Sequence, residues 1–439
     1  MLQAVGGGAQ LATNIAAGGE HSLFVKGDGS LWVMGWNQYG QLGDGTTNNA
    51  DLPEQVVASN VTAVAAGYSQ SLFLKNDGSL WGMGANYGEF GDGGTYNYTN
   101  LPEQTVPSNV TAIAEGTAHT LLLKNDGSLW AMGANNYGQL GDGTYNTTGV
   151  PEQIVASNVT AIAAGQWHSL FIKNDGSLWG MGWEEYGQLG TGTYGLPPLN
   201  YSTNRPAQIV SSNVTAIAGG IAHSLFLKSD GSLWAMGAGL DGQLGDGTYR
   251  QMINLPEMIV SSNVTAIAAG YNHSLFLKAD GSLWGMGRNS EGELGDGTYN
   301  NTNRPEQIVA SGVTAIAGGV GHSLFLKSDG SLWAMGWNQY GQLGDGTYNN
   351  TNRAEQIVAG PPGYNQISIQ LLSGGDVGLS FVGIAGANYA LDSTFSLSPA
   401  NWMPLATNPA GSGGVLLFTN TPNPTTNNFW RIRSVPPAN

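Results

Sequence analysis

The chain has 439 residues, 10% of them charged and 41% hydrophobic, with a formal net charge of -16 and a sequence pI near 4.5. That acidic balance speaks against a nucleic-acid partner, which needs a Lys/Arg surface, and suits a cationic, neutral or sugar partner better. The lack of cysteine excludes a disulfide framework, a thiol nucleophile and Cys-ligated zinc, and no apolar run is long enough to insert into a membrane.

The opening stretch, MLQAVGGGAQLATNIAAGGEHS, has neither the basic head nor the apolar core of a secretory leader. The expectation is a cytoplasmic protein, or an extracellular or cell-surface one whose leader has been trimmed. Because a repeat begins almost at once, we expect the second.

The pentapeptide Asp28-Gly29-Ser30-Leu31-Trp32 returns starting at Asp77, Asp126, Asp175, Asp230, Asp280 and Asp329, seven copies separated by 49, 49, 49, 55, 50 and 49 residues. Around each copy lies one consensus, NVTAIAAGxxHSLFLKxDGSLWxMGxNxYGQLGDGTxxN…PEQIV. A period of this length marks stacked supersecondary units. In each unit the Ala-rich run predicts a first strand, Asn14–Ala17 in one copy and Val61–Ala66 in the next. HSLFLK (HTLLLK at His119–Lys124), LWxMG and PEQIV predict the other three. A Gly-x-x-His turn joins the first pair, and Asp-Gly supplies the positive φ values of the next tight turn. Pro at the start of the last strand is tolerated because that position need not donate a ladder hydrogen bond.

Seven four-stranded units without helical periodicity predict an all-β chain with a seven-bladed β-propeller over residues 1–360. The long loop is expected to cross between blades. The last PEQIV-type strand, Ala354–Val358, is then expected to pair with the first blade and close the ring, removing the open edge.

The pattern GxxHSLFLxxDGxLWxxGxNxxGQLG resembles the repeat of the regulator of chromosome condensation family, from residue 11 to about 358. The near-identity of the copies resembles internal duplication of a bacterial type. The resemblance implies a propeller but no single activity, because the family includes a nucleotide exchange factor, a plant ultraviolet photoreceptor and a secreted bacterial β-lactamase inhibitor. In the last two the Gly-x-x-His pair contributes to the partner-binding face. The resemblance implies the same for Tyr68, Trp167 and Tyr271. Exchange-factor activity is not carried over, since it needs a small GTPase partner and this acidic chain has no basic tail.

After Ala359-Gly360-Pro361-Pro362-Gly363 the repeat stops. In residues 361–439, ISIQLLS, GLSFVGIAG, NYALDST, WMPLAT, GVLLFTN and FWRIRSV predict six short strands in a small β-sandwich. Tyr389-Ala390-Leu391, Trp402 and Phe429-Trp430-Arg431 resemble immunoglobulin- or fibronectin-like modules of exported bacterial proteins.

Strand direction puts the Gly-x-x-His turns and the long loops at one end of every blade, and the DGS and Ser-Asn turns at the other. The second end is nearly the same in each copy, whereas the first varies. Between Gly and His stand Gly19-Glu20, Tyr68-Ser69, Thr117-Ala118, Gln166-Trp167, Ile221-Ala222, Tyr271-Asn272 and Val320-Gly321. After Met-Gly stand Trp36, Ala85, Ala134, Trp183, Ala238, Arg288 and Trp337. A fixed scaffold with varied loops is how a rigid fold hosts a binding surface. The candidate partner-binding residues are therefore Glu20, Trp36, Tyr68, Gln166, Trp167, Trp183, Tyr271, Asn272, Arg288 and Trp337, against the alternative that the aromatics only cap the blade core. Glu89, Glu184, Glu185, Asp241, Glu291 and Glu293, with Glu20 beside them, make this the acidic end. A solvated rim explains them as well as a cationic partner does. Extra residues within Gly195–Asn204, and Asp241 and Glu291 in place of the loop Tyr, break the sevenfold sameness.

All six histidines, His21, His119, His168, His223, His273 and His322, occupy one repeat position, where the second copy has Gln70. Each begins a strand and points at a neighbouring blade, too far from the others to share one ion, so we expect structural hydrogen bonds and not a metal site. The GDGT aspartates, Asp44, Asp92, Asp142, Asp246, Asp296 and Asp345, lack the further oxygen ligands of a calcium loop and read as turn chemistry. No triad or phosphate loop stands out, and no cofactor is expected. The leading expectation is a non-catalytic scaffold for a protein partner. The alternatives are a glycan-binding or glycan-cleaving surface, with Glu184/Glu185 as acid and base, and a structural subunit of a surface layer or filament.

Overall fold

Each DGSLW pentapeptide closes a hairpin and fixes an aromatic ring. In the first copy Asp28 Oδ1 accepts hydrogen bonds from the Ser30 N–H at 2.9 Å and the Ser30 hydroxyl at 2.6 Å. Gly29 sits at φ +77°, and a Cβ there would lie 2.6 Å from the Asn60 nitrogen. Ser30 Oγ accepts from Trp32 Nε1 at 2.9 Å, which orients the indole. The ring then runs parallel to its cross-strand partner Phe24, with centroids 6.2 Å apart, and Lys26 Nζ stands 3.6 Å over it. This lysine, repeated in every copy, contributes about 0.5–1 kcal/mol per site.

The computed structural model describes residues 12–94, 97–192 and 202–360, and in the C-terminal part 367–372, 376–382, 388–394, 403–409, 415–421 and 429–435. Gly195–Tyr201, most of the expected blade-four insertion, and Trp402 lie outside the described residues. The described chain is all-β. It forms seven four-stranded antiparallel sheets and two three-stranded ones. In the first sheet the strands are Ala12–Ala17, His21–Lys26, Leu31–Gly35 and Ala50–Val57, paired in chain order, and the pattern repeats through Thr351–Val358.

The second strand of each sheet is buried along its length, because neighbouring blades cover both of its faces. That is why HSLFLK shows no polar alternation. The first strands meet one another around the axis, where Ala and Gly leave room for seven backbones. The core is a set of layers between blades. One layer joins Leu23, Leu31 and Leu42 of the first blade to Val61, Phe73 and Met83 of the second, and Phe73 is fully buried. Burying each such side chain stabilises by about 1.5–3 kcal/mol. Each Met-Gly methionine also rests on the loop glycine of the preceding blade. A Cβ on Gly141 would lie 3.0 Å from Met181 Sδ.

The ring is closed. His322 Nε2 lies 2.9 Å from Ser22 Oγ, Ser22 Oγ donates to the Gln342 carbonyl at 2.7 Å, and the Gly346 N–H donates to the Asp51 carbonyl at 2.8 Å. Two expectations are corrected here. The last strand pairs inside its own sheet and not with the first blade. The long loop joins the third and fourth strands of one sheet, and the crossing between blades is the short Ala58-Ser59-Asn60 linker. The linker is short enough because it passes over its own blade's turn, with the Val61 N–H bonded to the Gly29 carbonyl at 2.9 Å. Its Asn60 adopts φ 70°, a left-handed conformation that asparagine tolerates.

The chain divides into two compact units, one of Thr13–Lys327 with Leu332–Ile357 and one of Met1–Ala12, Ser328–Ser331 and Val358–Asn439. In the second unit all six expected strands form. Ile367–Leu371 and Val415–Asn420 flank Val377–Val382 in one sheet, and Met403–Pro409 and Phe429–Val435 flank Asn388–Thr394 in the other. Val377, Leu379 and Phe418 of the first sheet share a core with Tyr389, Leu391 and the half-buried Trp430 and Ile432 of the second, which makes a small sandwich.

Candidate functional site

One backbone hydrogen bond per blade decides where the variable residues lie. The N–H of the residue after Met-Gly donates to the carbonyl of the residue before the histidine position: Trp36 to Glu20 at 2.8 Å, Trp183 to Trp167 at 2.8 Å, Arg288 to Asn272 at 2.8 Å and Trp337 to Gly321 at 2.7 Å. Ala85, Ala134 and Ala238 repeat it. All ten candidate residues therefore sit on the same rim.

Four of them, Trp36, Trp167, Trp183 and Trp337, gather with loop tyrosines in two aromatic clusters built alike. Tyr340 lies 5.7 Å from Trp337 and 6.0 Å from Trp36 of the next blade, whose ring meets Tyr39 edge-on at 5.4 Å. Across the ring, Tyr137 lies 5.8 Å from both Trp167 and Trp183 of the next blade, and Trp183 meets Tyr186 at 5.3 Å. A loop tyrosine bridges to the neighbouring tryptophan in both, and these rings are half-buried or exposed. Between the clusters the rim opens into an axial pit that is open to solvent. The residue directly after each Gly lines it, so Tyr68, Gln166, Ile221 and Tyr271 face the axis. Gln166 Nε2 donates to the Tyr271 hydroxyl at 3.0 Å. Burial raises the Tyr271 phenol above its ordinary value, and burial followed by the nearby Glu20 raises Tyr68.

The reading of these acids as a solvated rim is corrected for four of the seven. Glu20, Glu89, Glu184 and Glu293 are buried, while Glu185, Asp241 and Glu291 are half-exposed. Burial raises Glu20 above the usual carboxylate value and pushes Glu89 up to about 7. The physical reason lies in the loop. Gln41 Oε1 caps the Tyr39 N–H at 3.0 Å, and Glu89 and Glu293 occupy the same position and cap Tyr87 and Glu291 in the same way. Glu184 stands where other loops have an asparagine such as Asn37, which donates to Asp44 at 3.1 Å. In blade four Thr191 replaces that aspartate and donates to Glu184, so donor and acceptor have changed places. A buried Glu184 engaged within its loop is a poor acid or base for a glycan. Arg288 lies 3.4 Å from Glu293 and 3.8 Å from Glu291.

Each histidine crosses to the next blade, as its placement predicts. His119 Nε2 lies 2.9 Å from Ser169 Oγ, which donates its only proton to the Gln139 carbonyl at 2.7 Å. The imidazole therefore supplies the Nε2 proton. Burial drives His119 down to about 3 and His21 to about 4, so the rings stay neutral. Among the described residues their Nδ1 atoms find no partner, and no group of three metal-ligating side chains occurs. In the GDGT turns, Asp44 accepts from the Thr46 N–H at 2.8 Å, which is turn chemistry.

Sequence reasoning passed over Glu115. It ends a first strand where the other copies have Ala or Gly, and it lines the pit. Its carboxyl lies 3.0 Å from Gln70 Nε2 and 2.6 Å from Thr120 Oγ1, and desolvation holds it well above the usual carboxylate range. The signal was available, because Gln70, Glu115 and Thr120 each break a repeat position.

The sequence profile described as "Regulator of chromosome condensation (RCC1) repeat" matches residues 28–74, 126–172, 175–227, 230–277, 280–326 and 329–373, and a second profile of that description matches six segments from residues 12–41 to 313–342. Yeast RCC1 (Prp20), in its complex with Kap60, is similar in structure with a TM-score of 0.67 at 20% identity, over 80% of this chain and 85% of that one. Human WBSCR16 is similar with a TM-score of 0.66 at 23% identity, over 75% of this chain and 93% of that one. A structure of Prp20p from Saccharomyces cerevisiae, described with its binding to Gsp1p and histones, is similar with a TM-score of 0.62 at 22% identity, over 70% and 80%. The X-linked retinitis pigmentosa GTPase regulator homolog of Caenorhabditis elegans is 54% identical over 37 residues, 8% of this chain and 3% of that protein's length. Repeat matches over more than half of the sequence, on a closed ring of seven such sheets, establish that this chain belongs to the regulator of chromosome condensation (RCC1) repeat family.

Proposed function

We propose that the chain is a non-catalytic scaffold that holds a protein partner on its variable rim, with a propeller through residue 360 and an immunoglobulin- or fibronectin-like accessory module from 361. The observation that carries this is the convergence of two aromatic clusters and Tyr68 around one pit, on a scaffold otherwise repeated sevenfold. Rigid aromatic anchors among small polar residues are what interface hot spots are made of. Structures of yeast Prp20 are described with Kap60 and with binding to Gsp1p and histones, so one protein of this fold binds proteins. An exported or cell-surface location suits an acidic, cysteine-free scaffold.

The test is affinity capture from the native organism's lysate and medium, followed by direct binding of the purified partner. Trp167→Ala or Tyr271→Ala should weaken binding at least about tenfold, and Lys173→Ala on the monotonous side of blade four should leave it unchanged. Equal capture by all three variants would remove the rim from consideration. Glycan-array binding without a protein partner would favour the sugar alternative, and concentration-dependent polymers the structural one.

A further inference from the structure

Two hydrogen-bonded rings tie neighbouring blades together, and both change at one seam. In the outer ring six histidines reach a serine of the next blade. In the inner ring a backbone N–H near the pit reaches a carbonyl of the next blade, as from Gly19 to Gly67 at 3.0 Å and from Tyr271 to Gly319 at 3.0 Å. Between blades two and three Gln70 replaces the histidine, Thr120 replaces the serine, and among the described residues the Tyr68 N–H makes no such bond. Glu115 fills the gap.

The neighbouring seams point to its state. Thr120 Oγ1 lies 2.9 Å from the Glu89 carbonyl and 2.6 Å from Glu115 Oε1; its one proton serves only one of them, and at the other seams the serine hydroxyl gives its proton to the carbonyl. With the same choice here, the contact between Thr120 Oγ1 and Glu115 Oε1 needs a proton from the carboxyl, and Gln70 Nε2 donates to the other oxygen. Glu115 thus does the imidazole's work as a neutral acid. It is also the one acidic residue among those lining the pit, and Tyr68 and Tyr271 line the same space. The titratable groups around it are Glu89 on the preceding blade's loop, the neutral His119 on its own sheet, and those two phenols.

We propose that the axial pit is a binding site for a single alkylammonium or guanidinium group, with Glu115 as its counter-ion and the tyrosine rings as its walls. When the cation enters, the Glu115 O–H bond breaks, the proton passes to solvent, and the carboxylate left behind pairs with the cation. A desolvated carboxylate beside aromatic faces is the environment that holds such a group. The inference does not depend on the rim holding a protein, because the amine can be a lysine side chain or a free ligand.

The experiment is calorimetric titration of the full chain with butylammonium, in two buffers of different ionisation heat. Binding of one cation with release of about one proton is expected, and affinity should fall tenfold for each unit of pH below the Glu115 midpoint. Glu115→Gln, which keeps the hydrogen bonds to Thr120 and Gln70, should lose binding at least about tenfold. Glu89→Gln and Trp167→Ala should stay within about threefold of the wild type, which separates the pit from the rim. No binding at roughly 50 mM butylammonium, unchanged binding by Glu115→Gln, or heats that do not depend on the buffer would overturn the proposal. If Glu115→Gln fails to fold, the wild-type pH series decides, since a pH-independent affinity also overturns it. A lysine tripeptide that competes with butylammonium assigns the site to side chains, and a tripeptide that does not compete assigns it to a free amine.

Discussion

Removing one hydroxyl from the seam that joins the last blade to the first asks whether the ring is closed in solution. Ser22 is fully buried. Its Oγ donates to the Gln342 carbonyl at 2.7 Å and receives the His322 Nε2 proton at 2.9 Å. Ser22→Ala leaves a carbonyl and an imidazole N–H buried without partners. Each orphaned group costs about 1–3 kcal/mol, so the variant should lose about 3 kcal/mol after some relaxation. Ser169→Ala removes an equivalent pair, the His119 proton and the Gln139 carbonyl, at an internal seam. In a closed ring the two substitutions cost the same to within about 1 kcal/mol, whereas in an open array the first costs almost nothing. Urea unfolding followed by tryptophan fluorescence reads the difference, with midpoints compared directly because a chain of two units need not unfold in one step. A silent Ser22→Ala beside a costly Ser169→Ala would refute the closed ring. Ser22→Thr should restore stability, since Thr120 occupies the same position in blade three.

Other outcomes follow from the buried acids and the glycine seats. Burial raises Glu89 to about 7 and Glu115 well above its ordinary value, so the folded chain binds these protons more tightly than the unfolded chain. Stability should therefore be full at pH values below the unfolded carboxylate midpoint and decline as pH rises from about 4.5 through neutrality. Thermal melts of Glu89→Gln/Glu115→Gln should show a flatter profile, and an unchanged slope would assign the effect elsewhere. Gly141→Ala places a Cβ at φ +78° and 3.0 Å from Met181 Sδ, and should cost about 2 kcal/mol in urea unfolding.

The repeat made much of the fold legible, because each copy of DGSLW carries its own turn, ring and cap within five residues. The rim of the variable residues was legible too, since antiparallel strand order alone puts Trp36 and Glu20 at one end. Strand pairing across the closure was not. A regular four-strand pattern can be divided into blades at more than one place, and only coordinates show that Thr351–Val358 stays in its own sheet. Burial of the loop glutamates was hidden for a related reason. Glu89 looks like surface charge until its acceptor role, shared with Gln41, is seen. Glu115 was hidden because its departure from the repeat lies in the strand that lines the axis and not in the variable loops.

Among the described residues no strand is exchanged between the first and last blades, and each sheet takes its four strands from one repeat. Unequal crossing-over between near-identical copies would then insert or delete complete blades, never fragments. A lineage using this architecture could change its number of blades by altering only the angle between neighbours, and the chain could be reopened at any Ser-Asn linker without dismantling a sheet.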